Sequence, residues 1–143
     1  MAVVEIHDSP SGRAIEVNEA DTPSGSLVAF FQASIGEVVG DFAGPFTNQA
    51  AHALEARSQW LVTEPTTLKR FALISDENGG VAAAQGGQLR LNGADVAGAL
   101  VTIGIGAQRA VVAIDVDVVA GDLLSVALTS NNAAAFLSWY LTN

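Results

Sequence analysis

The last third of the chain, residues 89–143, is a run of short segments rich in Val, Ile, Leu and Ala that are separated by glycine turns. Short apolar segments bounded by glycine are typical of the β-strands of sandwiches and barrels. The charged residues of this run stand singly in turns or alternate with apolar neighbours, and none has partners for acid, base or nucleophile chemistry. The pattern therefore predicts a scaffold with a binding surface rather than a reaction site.

The same pattern begins near Leu27 and predicts about eight strands at a spacing of roughly ten residues. Asn92-Gly93 follows one of these strands and predicts a hairpin, because both central positions of a type I′ turn need positive φ. Only residues 46–60 contain a competing helical pattern, for which we expect a single helical turn. Strands that do not alternate with helices favour an all-β fold, and we expect an antiparallel β-sandwich of the jelly-roll kind.

Residues 1–25 differ in composition from the globular body, which we expect to span residues 26–143. They contain five carboxylates, one arginine, and prolines and glycines that interrupt any regular element. Two apolar alternations flank a Ser-Pro-Ser-Gly turn, which predicts an arm whose hairpin can add to the sheet of a partner. A frayed terminus is the alternative. The expected partner-binding residues of this arm are Val3, Val4, Ile6, Ile15 and Val17.

The charge balance excludes several classes of partner. The formal net charge is −9 and Lys69 is the only lysine, so a nucleic-acid backbone would be repelled. No apolar stretch approaches the roughly 20 residues of a membrane helix, and the first residues lack the pattern of a secretory signal. The chain contains no cysteine, which excludes disulfides and thiolate metal sites. We expect neither a nucleic-acid partner nor a membrane partner.

The proportion of apolar residues points to association. Half of the chain is hydrophobic and only 15% is charged, which is low for the surface of a monomer. Soluble monomers rarely expose large contiguous apolar patches, so we expect other copies or a partner to cover part of this surface. The alternative is that small Ala and Gly residues simply tile a weakly charged exterior.

Chemistry-bearing residues are few and scattered. His7 and His52 have no acid or serine at the spacing of a catalytic triad. The turn at residues 76–80 resembles a calcium loop but offers only two or three oxygen ligands, which favours an ordinary turn. Asp115 and Asp117 alternate with apolar residues and share one strand face, where solvent, a metal or a basic partner could contact them. We expect no enzymatic activity, no catalytic or metal site and no cofactor.

Three aromatic residues are candidates for ligand or partner contact, namely Trp60, Trp139 and Tyr140. Flat apolar rings with a polar handle suit both subunit interfaces and sugar stacking. Trp139 and Tyr140 are adjacent in a strand, so they must point to opposite faces, and at most one can meet a ligand. Packing in the core or against another subunit is favoured over glycan binding. Trp139 and Tyr140 complete the set of expected partner-binding residues.

Four segments in order, Trp60–Val62, Glu64–Arg70, Leu91–Gly93 and Val118–Val126, carry a family resemblance. As a set they resemble small jelly-roll proteins of tailed bacteriophage virions. The resemblance implies a homotrimer whose partner is the major capsid protein: a capsid decoration (cement) protein that binds and stabilises the outer surface of a phage head. Such a protein is made in the host cytoplasm and ends on the virion surface. The absence of a coiled-coil or collagen-like shaft before the domain favours this role over a fibre tip.

Two other functions stay open at this point. One is a receptor-binding or fibre-tip jelly roll that recognises a host surface glycan through loops at one end of the sandwich, including residues 76–80 and 130–132. The other is a small enzyme or cupin-like metalloprotein. Two isolated histidines cannot supply the clustered ligands of a cupin site, which makes that the weakest hypothesis.

Overall fold

A computed structural model of the chain describes residues 3–8, 13–18, 25–33, 40–45, 51, 53–76, 80–81, 83–130 and 137–143. These residues form almost entirely β-structure. In chain order the strands are β1 Val3–Asp8, β2 Arg13–Asn18, β3 Leu27–Ala33, β4 Gly44–Pro45, β5 Trp60–Leu61, β6 Thr66–Ser75, β7 Gln85–Leu91, β8 Ala94–Ile103, β9 Arg109–Val118, β10 Leu123–Ser130 and β11 Leu137–Thr142. A single 3₁₀ turn, Glu55–Arg57, precedes β5. No helix of this described part is long and apolar enough to cross a membrane.

Strands β3 to β11 form two antiparallel sheets that face each other. The five-stranded sheet has the order β4-β3-β11-β6-β9, and the four-stranded sheet has the order β5-β10-β7-β8. From β5 onward most successive strands belong to different sheets, so the chain repeatedly crosses between the two layers. The predicted antiparallel β-sandwich of the jelly-roll kind is thereby confirmed.

The core lies between the sheets and follows the period of two that a strand with one buried face requires. Along β11, Leu137, Trp139 and Leu141 are buried while the residues between them are only partly covered. Phe31 of β3 and Phe71 of β6 are also fully buried. Alternation of this kind explains why each strand of the five-stranded sheet presents one apolar face inward and leaves the other face toward solvent.

The burial of Trp139 corrects one expectation. Its exposed fraction is 0%, and an ideal Cβ on Gly87 of the opposite sheet would lie 2.3 Å from its Nε1. The indole therefore fills the space that this glycine leaves, and direct contact of Trp139 with a partner is excluded. The adjacent Tyr140 points to the outer face, as expected of neighbours in a strand.

The turn at Asn92-Gly93 confirms the predicted β7–β8 hairpin. Asn92 has φ +51° and Gly93 has φ +82°, the two positive values that a type I′ turn needs. The Asn92 side chain also bridges to the neighbouring turn, since its Nδ2 donates to Asp122 Oδ1 at 2.9 Å and its Oδ1 accepts from the Leu123 amide at 2.9 Å. The two turns are thus joined at one end of the sandwich.

The N-terminal strands β1 and β2 pair as the predicted antiparallel hairpin. Their register places Val4 opposite Val17 and Ile6 opposite Ile15. The role of this hairpin as a partner-binding arm stays a prediction. Phe42 makes an isolated bridge to Ala127. The helical turn expected within residues 46–60 is confirmed as the short 3₁₀ turn at Glu55.

Candidate binding face

The most distinctive surface is the side of the five-stranded sheet that points away from the core, which we call the outer face. Strand register places eight of its residues in two neighbouring rows across β3, β11, β6 and β9. One row contains Phe30, Tyr140, Ala72 and Val111. The other row contains Gln32, Ser138, Ile74 and Arg109.

An aromatic pair dominates the first row. The rings of Phe30 and Tyr140 lie with centroids 5.0 Å apart and are inclined at 45° to each other. Both residues are partly exposed. Two rings inclined in this way do not form one flat surface, and we refer to the Phe30–Tyr140 pair as the aromatic trough.

Polar groups flank the trough on the side of the second row. Gln32 Nε2 donates to Ser138 Oγ at 3.1 Å, across the paired strands β3 and β11. Both side chains are only partly buried. An amide and a hydroxyl beside two rings combine apolar contact area with directional donors and acceptors.

The apolar character of the outer face extends to its edge. Val111 of β9 is 61% exposed and Ile74 of β6 is 42% exposed. A cavity of about 520 Å³, lined by Ile74, Ser75, Ala107, Gln108 and Arg109, opens where these strands meet the turn before β9. The outer face is therefore a surface of mixed character with a hollow at one end.

The charged groups of the outer face lie mainly along β9. Lys69 Nζ donates to Asp115 Oδ1 at 2.5 Å, and Thr67 Oγ1 donates to Asp117 Oδ1 at 2.6 Å. The Lys69 and Asp115 side chains are 54% and 78% exposed, so their ion pair contributes little to stability. The expectation that the two aspartates share one solvated strand face is confirmed.

Trp60 lies elsewhere, at the open edge between the two sheets. Its ring is 6.4 Å from that of Phe31, and it lines a cavity of about 440 Å³ with Val28, Gln59, Leu61 and Thr63. The three aromatic residues singled out from the sequence are therefore not brought together. Trp139 is in the core, Trp60 is at the edge and Tyr140 is on the outer face.

Phe30, the ring partner of Tyr140, was not singled out from the sequence. The signal was present, because Phe30 and Phe31 are adjacent in a strand and must point to opposite faces, as do Trp139 and Tyr140. The register that pairs Phe30 with Tyr140 depends on how β3 and β11 align, over 100 residues apart in the chain. A single sequence does not reveal that alignment.

A polar cluster on the outside of the four-stranded sheet has a structural role. Arg90 Nε donates to Glu55 Oε1 at 2.9 Å, Arg90 Nη1 donates to Asp95 Oδ1 at 2.5 Å, and Ser125 Oγ donates to Glu55 Oε1 at 2.5 Å. The Arg90 guanidinium also lies 5.7 Å from the centre of the Phe42 ring. This cluster fastens the 3₁₀ turn onto β7 and β10, and its groups are engaged with one another.

The contacts of this cluster shift the pKa values of Glu55 and Arg90. Burial would raise the pKa of Glu55, but hydrogen bonds from Arg90 and Ser125 and the charge of Arg90 outweigh it, so the pKa lies below its ordinary value. The hydrogen bond to Glu55 likewise raises the pKa of Arg90. Glu55 is therefore held as a carboxylate against an arginine, which is unsuited to proton transfer near neutral pH.

The predicted loop-end site is only partly described. Ser75 stands opposite Leu137, and Ser130 stands opposite Gly86, so the segments that follow β6 and β10 leave the same end of the sandwich. Residues 77–79 and 131–136 lie outside the described residues, as does His52, and nothing is described of the His7 side chain. In the part of the chain that is described, no three His, Cys, Asp or Glu side chains are grouped to hold a metal.

Comparisons with known proteins give a likeness in structure only. No protein-family model and no curated protein matches the chain. A CBM35 from Cellvibrio japonicus Abf62 has 18% identity and a TM-score of 0.42, covering 82% of this chain and 93% of the other. A family 35 carbohydrate binding module from Clostridium thermocellum has 13% identity and a TM-score of 0.43, covering 84% and 98%.

A third solved structure is Xyl-CBM35 in complex with a glucuronic acid containing disaccharide. It has 20% identity and a TM-score of 0.40, covering 86% of this chain and 90% of the other. Identities and TM-scores of this size do not establish a shared ligand or a shared function. The candidate site of this chain is therefore argued from its own geometry.

Proposed function

We propose that this chain is a non-catalytic binding domain that recognises a carbohydrate on the outer face of its five-stranded sheet. The observation that carries the proposal is the partly exposed Phe30–Tyr140 pair, with centroids 5.0 Å apart, beside the Gln32–Ser138 hydrogen bond. Apolar area with a few placed polar groups is the usual composition of a small-ligand site.

The chemistry of a sugar ring fits this arrangement. The C–H groups on one side of a pyranose are apolar enough to lie against an aromatic ring, while its hydroxyls need donors and acceptors at the rim. Tyr140 and Phe30 supply the ring surface, and Gln32 and Ser138 supply an amide and a hydroxyl within the next row. Gln32 and Ser138 already form a hydrogen bond with each other. A sugar hydroxyl can replace one partner in this bond, so binding does not require the desolvation of a further polar group of the protein.

This proposal takes up glycan recognition, the alternative to capsid decoration. The aromatic trough supports ligand binding, whereas no contact among the described residues bears on a capsid shell. Residence on a virion and a host glycan as target follow from the family resemblance alone and stay predictions. The homotrimer also rests on that resemblance, and the dimer inferred below is the alternative to it.

The experiment is a glycan array probed with the labelled full chain, followed by calorimetric titration of the best glycan. The Tyr140→Leu variant keeps apolar bulk but removes the ring, and we expect it to weaken binding about fivefold to tenfold, in line with roughly 1 kcal/mol for an aromatic contact. Tyr140→Phe keeps the ring and serves as the matched control, with affinity within about threefold of the original chain.

A second control separates the two aromatic sites. Trp60→Leu removes the indole from the cavity at the sheet edge and is expected to leave affinity unchanged. If Trp60→Leu abolishes binding while Tyr140→Leu does not, glycan binding belongs to that cavity and the outer face is the wrong site. If the array shows no binding to any glycan class, the proposed function is wrong.

A further inference from the structure

The strand β9 is an unusually open sheet edge. It pairs only with β6 among the described strands, and it has ten residues. Its exposure alternates without a break from Arg109 to Asp117. A long edge strand with unpaired backbone groups is a template for pairing with another chain unless it is blunted.

The other three edges of the two large sheets are short or irregular. β4 and β5 have two residues each. β8 is as long as β9, and each strand has a register shift in the pairing with its neighbour, between Gln88 and Arg90 of β7 for β8 and between Leu68 and Arg70 of β6 for β9. β8 also contains Gly98 with φ +77°, whereas the exposure of β9 alternates regularly through the shift. Short strands, register shifts and left-handed backbone protect edges from association, and β9 is the long edge of the sandwich that contains no residue with positive φ.

Opposite charges stand at the two ends of β9. Among the described residues, no carboxylate pairs with Arg109 and no cation pairs with Asp117, whose recorded contact is the Thr67 hydroxyl. Both residues are exposed on the outer face, and Ala113 lies midway between them. In an antiparallel pairing of two β9 strands about Ala113, Arg109 of each copy stands opposite Asp117 of the other.

We infer that β9 is the interface of a twofold homodimer, in which two β9 strands pair antiparallel with Ala113 on the axis. A twofold interface requires a self-complementary surface, which an arginine and an aspartate at equal distances from the axis provide. Opposite charges directly across a strand pair stabilise it and fix its register. The two five-stranded sheets then join into one sheet of ten strands.

This arrangement has a consequence for ligand binding. The twofold axis that relates two antiparallel strands is perpendicular to their sheet. The outer faces of both copies therefore lie on the same side of the joined sheet. The β11 strands of the two copies, which carry Tyr140, are then five strand spacings apart, about 24 Å at roughly 4.8 Å per strand. Two troughs on one side would bind a polymer or a dense surface by avidity, although the dimer itself does not depend on glycan binding.

The charge pattern provides one test. We expect the full chain to be a dimer in size-exclusion chromatography with light scattering. Arg109→Glu places like charges opposite each other twice per interface and should raise the dimer dissociation constant at least tenfold. The double variant Arg109→Glu/Asp117→Arg reverses both ends and should restore the dimer. Arg57→Glu makes the same change of charge on the 3₁₀ turn and should leave association unchanged.

Cross-linking provides a second test, since the natural chain has no cysteine. Residues directly opposite in an antiparallel pair have Cα atoms about 4.5–5.5 Å apart, within the range of a disulfide. Ala113→Cys should therefore give a covalent dimer under mild oxidation, visible in non-reducing electrophoresis. Ala97→Cys, which introduces an exposed cysteine on β8, should stay monomeric in the same gel.

The outcomes separate this dimer from the proposed function. A monomer at all concentrations, or a trimer unaffected by Arg109→Glu, would overturn the β9 interface while leaving glycan binding intact. A dimer that Arg109→Glu dissociates and the double variant restores would support the interface even if no glycan binds. Equal cross-linking by both cysteine variants would also contradict it.

Discussion

At the scale of single residues, the packing between the two sheets depends on one large side chain, that of Trp139. Trp139 is fully buried, and its Nε1 has no hydrogen-bond partner among the described residues, so the indole contributes through packing alone. Gly87 faces it from the opposite sheet with no room for a methyl group. A glycine inside a strand often marks such a close approach, and here it sets the spacing between the sheets.

Replacing this glycine tests the packing. In Gly87→Ala the new Cβ would meet Trp139 Nε1 at 2.3 Å and Val126 Cγ1 at 2.9 Å, so the core must shift. We expect the free energy of unfolding to fall by about 1–3 kcal/mol in urea titration, as in other overpacked cores. Gly104→Ala is the matched control, because nothing lies within 4 Å of its Cβ position. An equal loss in both variants would contradict the packing argument.

The orientation of these residues was partly predictable from sequence. Alternation in a strand requires Trp139 and Tyr140 to face opposite sides, and the same argument applies to Phe30 and Phe31. Which member of each pair points inward depends on the side from which the second sheet covers the strand. That choice is made by the tertiary fold and is not encoded in the local pattern, which is why Trp139 was expected at a partner surface.

At the scale of elements, the 3₁₀ turn is held on the four-stranded sheet by charge rather than by apolar packing. None of its residues is buried, and Glu55 within it is bonded to Arg90 and Ser125. A turn of three residues has little stability of its own, so these bonds position the segment that leads into β5. Breaking them should loosen that edge of the sheet.

The lowered pKa of Glu55 gives this contact a defined pH dependence. Above the ordinary value of 4.5 the carboxylate is charged in both folded and unfolded chains, and its stabilisation is fully present. Below 4.5 the unfolded chain binds the proton first, so this stabilisation is lost as pH falls through the lowered pKa of the folded state.

The measurement is the free energy of unfolding between pH 3 and 7 for the natural chain and for Glu55→Gln. We expect Glu55→Gln to be less stable at pH 7, and the difference between the two to shrink as the pH falls below 4.5. Other carboxylates affect both proteins equally and cancel in the comparison. A difference that is independent of pH would show that the charge of Glu55 does not hold the turn.

The strands and turns varied in how well the sequence predicted them. The Asn92-Gly93 hairpin was predictable because its turn requires positive φ at both positions, and those residues tolerate it best. The strand β8 begins at Ala94, earlier than the apolar run from Ala99 suggests, because the hairpin extends the pairing through Asp95 and beyond. Pairing within the hairpin therefore set that boundary against local composition.

At the scale of the whole molecule, the two sheets divide the surface between different roles. The outside of the four-stranded sheet is occupied by the Arg90–Glu55–Ser125 cluster. The outer face of the five-stranded sheet carries the partly exposed Phe30–Tyr140 pair. The sandwich was predictable from strand spacing, whereas the trough was not, because it depends on the pairing of β3 with β11, which lie over 100 residues apart in the chain.

The most direct test of the account is an NMR titration of the ¹⁵N-labelled full chain with the glycan selected on the array. Glycan binding to the outer face predicts that the largest amide shifts cluster on β3, β11 and β6, centred on Phe30, Tyr140 and Ala72. Backbone amides around Trp60 and along β7 and β10 should stay unchanged. Shifts that cluster around Trp60, or on the segments beyond Ser75 and Ser130, would place the ligand elsewhere and contradict the account.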